Sequence, residues 1–205
     1  RANLCVKGLR TYGNVENDPQ MASLLGEALV ARALIYTELL KAFGEVPARF
    51  EPITPETIYL PKSDRDVIYK QLLADLEESF NYMAWPGQSP ATMKTDRPSL
   101  AFAKGLYARL ALMASGYAQR PDDGLVNTGN MGSVRLSSDP ELSKDVLYPK
   151  VKAALEDVVN NAGLELYSDY EQLWRDFNNF DLEAGKEVIY SLPLGDARGR
   201  WNFTF

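Results

Sequence analysis

The chain has 205 residues, 45% of them hydrophobic, so it can bury a sizeable core and one globular domain spanning residues 1–205 is expected. Its formal net charge of −6 argues against nucleic-acid binding, which needs clustered basic residues. It contains no histidine, which excludes Ser-His and Cys-His nucleophile pairs and histidine metal sites. We therefore predict that the protein is not an enzyme, has no catalytic residues, and uses neither cofactor nor metal.

The first predicted helix runs over residues 1–10 and carries the single cysteine of the chain, Cys5. A cysteine near an N-terminus can be a lipid attachment site, but the preceding Leu4 is not the small residue that such a site needs. Together with Val6, these residues fit an amphipathic helix, so a buried structural thiol is predicted. The sequence starts inside a helix without a signal peptide, and we interpret it as a fragment of a larger protein.

The second predicted helix runs over residues 19–43 and has clear ends. Asp18 is a good N-cap, and Pro19 occupies the first helical position, where its missing N–H costs nothing. Gly44 can adopt the left-handed conformation that closes a helix, and Pro47 prevents the helix from restarting. Apolar residues recur at helical spacing and predict one buried stripe, made of Met21, Leu24, Leu25, Ala28, Ile35, Leu39, Ala42 and Phe43.

The rest of the chain is predicted to alternate between helices and irregular loops. Helices are expected at about residues 63–83, 98–118, 140–161 with a bend at Pro149, and 169–177, followed by a short strand at 187–193. Helices that follow one another across irregular loops predict a mainly α fold of stacked helical hairpins. This arrangement is tetratricopeptide-like, although no clean 34-residue repeat is visible.

Residues 26–47, GEALVARALIYTELLKAFGEVP, join a long helix to a Phe-Gly-Glu-Val-Pro exit. This segment resembles the signature helix of the SusD/RagB family of outer-membrane nutrient-binding lipoproteins. The matching positions are Glu27, Ala28, Arg32, Ala33, Tyr36, Leu39, Leu40, Phe43, Gly44, Glu45, Val46 and Pro47. Residues 66–78 and 101–112 resemble its next two helices, and residues 186–192 resemble the strand that follows them. The order of the segments is the same as in the family.

The resemblance implies a mostly helical, SusD-like fold and a function in nutrient uptake. Such a protein is lipid-anchored on the outer membrane at the cell surface, although this sequence lacks the anchor. It captures an oligosaccharide or polysaccharide and delivers it to a TonB-dependent, SusC-like transporter. The alternative is a helical interaction scaffold that binds a peptide or protein segment, as in RagB-like peptide uptake, or docks onto the transporter, with no sugar site. Exposed coplanar aromatic rings in a cleft favour the first hypothesis, and a polar groove poor in aromatic residues favours the second.

Sugar recognition needs flat aromatic faces and planar polar groups, and two loop regions offer both. One is the loop at Trp85. The other is the C-terminal run with Arg198, Trp201 and Asn202, where Trp201 can either face a ligand or tuck beneath the helices. We predict these four residues as ligand-binding, whereas Trp174 follows an apolar residue on a predicted helix and is assigned to the core.

Two further sets of polar residues have competing interpretations. Arg32 and Asp75 each align with apolar positions of their helices and could bind a ligand. A buried ion pair is favoured, because an unpaired buried charge is costly. The loop at residues 122–130 offers oxygen ligands for calcium but lacks the spacing of a calcium loop, so a solvated turn is predicted.

Overall fold

The computed structural model describes residues 1–181 and 183–193, and these residues are mainly helical. In chain order the helices are α1 (Ala2–Tyr12), α2 (Pro19–Phe43), α3 (Arg65–Ser79), α4 (Leu100–Ala114), α5 (Lys144–Asn161) and α6 (Tyr170–Asn178). Between α4 and α5 lie two short antiparallel strands, β1 (Ala118–Arg120) and β2 (Ser133–Arg135), and a 3-10 turn at Pro140–Leu142.

The first five helices pack mainly in chain order, each against the next. The main core lies between α2, α3, α4 and α5, where Leu72, Leu76, Tyr107 and Leu110 are almost completely buried. Several buried residues of α4 are alanines, which allow neighbouring helices to approach closely. The predicted stack of helical hairpins is therefore confirmed.

Helix α2 has the predicted ends. The Asp18 carboxylate accepts hydrogen bonds from the backbone N–H groups of Gln20 and Met21, at 2.9 and 3.2 Å. At the other end, Gly44 has φ +69°, and a Cβ atom added there would lie 2.8 Å from Nη2 of Arg65. The positive φ favours glycine at this position, whereas the Arg65 side chain could move away from a Cβ atom.

The buried face of α2 differs from the predicted stripe. Leu25 is buried as expected, but Ile35, Leu39 and Phe43 are 56%, 36% and 71% exposed. The residues that α2 buries instead are Leu29, Val30, Arg32, Ala33, Tyr36 and Leu40, together with Gly26 and Thr37. Because α2 is apolar around most of its circumference, spacing alone could not show which side α1 and α3 cover.

The short β structure lies elsewhere than predicted. It is formed by β1 and β2 inside the polar loop, where three-residue strands leave no recognisable pattern. No regular strand forms at 187–193, because its neighbour is the loop at 93–95 and not another strand. Ser191 donates its backbone N–H to the Thr95 carbonyl at 2.8 Å, and the Tyr190 ring stacks on Phe102 with centroids 4.2 Å apart.

Three smaller predictions need correction or comment. Cys5 is exposed and not buried, because α1 packs against α2 through the side that carries Val6. Helix α3 begins at Arg65, two residues later than predicted, and its N-cap is Asp64, whose carboxylate accepts from the Asp66 backbone N–H at 2.8 Å. Helix α5 continues through Pro149 from Lys144 to Asn161.

Buried tyrosine hydroxyls make the fold sensitive to alkaline pH. Burial raises the pKa values of Tyr36, Tyr69, Tyr107 and Tyr190, and the Tyr107 hydroxyl also donates to Glu77 Oε1 at 2.8 Å. A group whose pKa is raised by folding contributes stability that is complete below its unfolded pKa, about 10, and is lost as pH rises towards the folded value.

We therefore expect the free energy of unfolding to fall above about pH 10, and to fall less steeply in Tyr107→Phe. Urea unfolding curves between pH 8 and 11 measure this dependence. Tyr59→Phe is the control, since that ring is 91% exposed. Equal slopes for the wild type and Tyr107→Phe would contradict the assignment to Tyr107.

Candidate functional site

The predicted ligand-binding residues do not form a group that the structure describes. Trp85 is half-buried and packs against the main core. Its carbonyl oxygen accepts from the Thr92 hydroxyl at 2.8 Å, which closes the loop around it. Arg198, Trp201 and Asn202 lie outside the described residues. The assignment of these four residues to a ligand site therefore stays a prediction.

Helix α6 presents an aromatic face that the sequence analysis assigned differently. Trp174 is 61% exposed, so its assignment to the core is wrong. Tyr170 and Phe177 share its side of the helix at i, i+4 and i+7 spacing and are also exposed. This nine-residue helix has no buried residue, and Leu173, one turn before Phe177 on the same side, is only partly buried.

A cleft of about 450 Å³ opens where α2 ends, α3 begins and the loop between β1 and β2 passes beside both. We call it the α2–α3 cleft. Its volume lies within the range typical of small-molecule sites, roughly 300–1,000 Å³. The polar, charged and aromatic residues that line it are Lys41, Phe43, Glu45, Lys62, Arg65, Gln119 and Asn130.

One wall of the α2–α3 cleft is an ion pair between the segment after α2 and the start of α3. Arg65 Nε lies 2.7 Å from Glu45 Oε1, and both side chains are only 11% exposed. The terminal guanidinium nitrogens of Arg65 make no hydrogen bond to any residue in 1–181 or 183–193. Arg65 is thus fixed in place while part of its hydrogen-bonding capacity stays free.

The opposite wall is the loop between β1 and β2, which side-chain hydrogen bonds hold in shape. Asn127 donates to the Lys62 carbonyl at 2.9 Å, which ties the loop to the residues before α3. Asn130 and Asp122 exchange two hydrogen bonds of 3.0 Å, one of which uses the Asp122 backbone N–H. Because Asp122 is bonded within the loop, the geometry is that of a stabilised turn. The residues described contain no cluster of three or more potential metal ligands.

The strands beside this loop are anchored to α3 by a buried polar network. Arg120 is 2% exposed, its Nη1 donates to Asp66 Oδ1, and its Nη2 donates to the Ala114 carbonyl at 3.1 Å. Ser137, just after β2, donates to the other oxygen of Asp66. Gly132 has φ +61°, and an added Cβ would lie 1.6 Å from the Arg120 carbonyl oxygen. The position of the loop therefore depends on residues outside the cleft itself.

Phe43 gives the α2–α3 cleft an aromatic surface. Its ring is 71% exposed in the last turn of α2 and lines the same cleft as Glu45 and Arg65. Phe43 was not predicted as a ligand residue, because its helical spacing placed it in the buried stripe of α2. Its position directly before the helix-ending Gly44 was the available signal, since the end of a helix often has no covering neighbour.

Arg32 and Asp75 form the buried ion pair that the sequence predicts. Arg32 Nε and Nη2 each lie 2.8 Å from one carboxylate oxygen of Asp75, and the side chains are 3% and 1% exposed. Arg32 Nη1 also donates to the Phe50 carbonyl at 3.0 Å. This two-fold contact joins α2 to α3 and leaves little of either charged group accessible to a ligand.

Searches with protein-family models and with curated protein sequences gave no match. Comparison with solved structures did find matches. NanU of B. fragilis superposes with a TM-score of 0.63 at 19% identity, over 95% of this chain and 34% of that one. A laminarin-binding SusD-like protein gives 0.61 at 22% identity, over 88% and 33%. A SusD superfamily protein from Parabacteroides distasonis gives 0.58 at 21% identity, over 84% and 32%.

The chain has the SusD-like fold. The resemblance first seen in the helix motifs is therefore confirmed by the structure. At sequence identities of 19–22%, the similarity shows a shared fold. The chain spans about a third of the length of the SusD-like structures it matches. None of the helices in the described part of this SusD-like chain is both long and apolar enough to cross a bilayer.

Proposed function

We propose that this SusD-like chain belongs to a cell-surface protein that captures an oligosaccharide and delivers it to a TonB-dependent, SusC-like transporter of the outer membrane. The protein acts by binding and not by catalysis, and a lipid anchor on the full-length protein holds it at the surface. The fold supports this proposal, since one of the similar structures is a laminarin-binding protein. The absence of histidine is in keeping with a non-catalytic function.

The observation that carries the proposal is the pairing of an exposed aromatic ring with planar polar groups in the α2–α3 cleft. A sugar ring has an apolar face that stacks on an aromatic ring and hydroxyl groups that need hydrogen-bonding partners. Phe43 supplies the ring, and Arg65 and Gln119 supply planar polar groups. The cleft offers one exposed ring, and aromatic residues also occur in protein interfaces, so the binding experiment below decides between the glycan and the scaffold hypotheses.

The loop residues that the sequence singles out are further candidates for the ligand site. Trp85 adds a second aromatic surface, and Arg198, Trp201 and Asn202 add a third cluster of aromatic and hydrogen-bonding groups. The α2–α3 cleft and these residues are separate candidate surfaces, and single substitutions distinguish them.

Affinity gel electrophoresis of the natural protein against plant, host and microbial polysaccharides tests the proposal. We expect retardation by at least one glycan, and a loss of affinity of roughly tenfold in Phe43→Ala, because the stacking surface is removed. Trp85→Ala and Trp201→Ala are tested in parallel. Tyr12→Ala, which removes an 87% exposed ring on α1, is the control and should bind like the wild type.

Melting curves for each variant separate loss of binding from loss of folding. Retardation by no glycan would contradict the proposal, and binding of a peptide would support the interaction scaffold instead. Retention of full affinity in Phe43→Ala together with loss in Trp85→Ala or Trp201→Ala would move the site from the cleft to the loops.

A further inference from the structure

We infer that the α2–α3 cleft selects an acidic saccharide, one whose sugar ring carries a carboxylate. The inference rests on the proposed function, since it specifies the class of glycan that the cleft takes. It depends on three observations about the cleft. These are its excess of positive charge, the cations that keep free hydrogen-bond donors, and the aromatic ring that lines the cleft beside them.

The charge of the cleft is opposite in sign to that of the whole chain. Lys41, Lys62 and Arg65 line the cleft together with the single carboxylate of Glu45. The chain as a whole has a formal net charge of −6. A local excess of positive charge on an acidic protein attracts an anionic ligand to this place in preference to the rest of the surface.

Two of these cations retain capacity for a ligand. Lys62 forms no ion pair within the part of the chain that the structure describes. Arg65 uses Nε for Glu45, which leaves its terminal nitrogens free of partners in that same part. Lys41 differs, because its ammonium group lies 2.9 Å from Glu38 on the same helix. Lys62 is therefore the residue whose charge a ligand can neutralise most directly.

The arrangement fits a carboxylate attached to a sugar and not a free anion alone. A carboxylate only accepts hydrogen bonds, and guanidinium and ammonium groups only donate them, so the two match chemically. The exposed ring of Phe43 lines the same cleft and offers a stacking surface for the sugar. Gln119 adds an amide group for the hydroxyls.

Matched pairs of ligands test the inference directly. Isothermal titration of the natural protein compares trigalacturonic and trimannuronic acids with their methyl esters, which keep the sugar rings but lose the charge. We expect at least one acid to bind roughly tenfold more tightly than its ester at low ionic strength. The difference should shrink as salt is added, because screening weakens the attraction.

The Lys62→Gln variant tests whether Lys62 is responsible for the preference for the acid over its ester. It should reduce the preference for the acid over the ester from roughly tenfold to less than about threefold, and Arg65 accounts for the preference that remains. Lys7→Gln makes the same charge change on the exposed side of α1 and should preserve the difference. Melting curves confirm that both variants fold. A preference for the acid that is as large in Lys62→Gln as in the wild type would overturn the inference.

The result also separates this inference from the proposed function. Equal binding of acid and ester, or binding of neutral glycans only, would overturn the acidic ligand and leave glycan capture intact. Failure of these four ligands and of every polysaccharide to bind would overturn both. Binding of an acidic tripeptide in place of any saccharide would overturn both and favour the interaction scaffold.

Discussion

Replacing Arg32 by alanine is expected to lower the free energy of unfolding by about 3–5 kcal/mol, because the Asp75 carboxylate is left buried without its partner. Asp75 is 1% exposed and accepts two hydrogen bonds of 2.8 Å from Arg32. Gln71 also donates to Asp75 at 2.8 Å but carries no charge, so it does not replace the guanidinium. Thermal unfolding should show a decrease in Tm of roughly 6–20 °C.

Two comparisons make the Arg32 prediction specific. Arg10→Ala removes an ion pair with Glu78 whose side chains are 48% and 31% exposed, and it should cost less than about 1 kcal/mol. Glycan affinity per folded molecule should be unchanged in Arg32→Ala, because Arg32 does not line the α2–α3 cleft. A variant that melts like the wild type but has lost glycan binding would show that Arg32 belongs to the ligand site.

Replacing Arg120 by alanine should also cost about 3–5 kcal/mol, and it should in addition abolish binding in the α2–α3 cleft. Arg120 is 2% exposed and joins β1 to Asp66 in the first turn of α3. Without it, Asp66 keeps only Ser137 as a side-chain partner among the described residues. The loop between β1 and β2 then loses its anchor, and with it one wall of the cleft is displaced.

Arg135→Ala is the matched control for Arg120, since it lies on the paired strand and its ion pair with Asp123 is far more exposed. We expect it to change stability much less. Denaturant unfolding and glycan titration are measured on both variants at a temperature where each is folded. Normal glycan binding by the Arg120→Ala variant would show that the β1–β2 loop does not form the ligand site.

The sequence predicts those features of the fold that depend on local chemistry. Asp18, Pro19 and Gly44 give α2 its ends, because a cap, a proline and a left-handed glycine act on residues within one turn. The pairing of Arg32 with Asp75 is predictable because charged residues in an apolar register need partners. The helix ends require no knowledge of the packing, and the ion pair requires only that consecutive helices are neighbours.

Features that depend on the packing of distant segments are not predictable in this way. The covered side of α2 depends on where α1 and α3 pack, so Ile35 and Phe43 were wrongly placed in the core. Trp174 was misplaced for the same reason. The α2–α3 cleft brings Phe43 close to a loop some eighty residues later in the chain, and no periodicity within either segment reports that proximity.

The exposed thiol of Cys5 gives the chain a single position for chemical labelling. Cys5 is the only cysteine, and it lies on α1, which packs against α2 around Leu25 and Leu29. At 1.5 Å per residue, that part of α2 lies roughly 21–27 Å along the helix from Phe43 at the cleft. A maleimide-linked fluorophore or surface tether can therefore be attached to this chain at one position, away from the proposed ligand cleft.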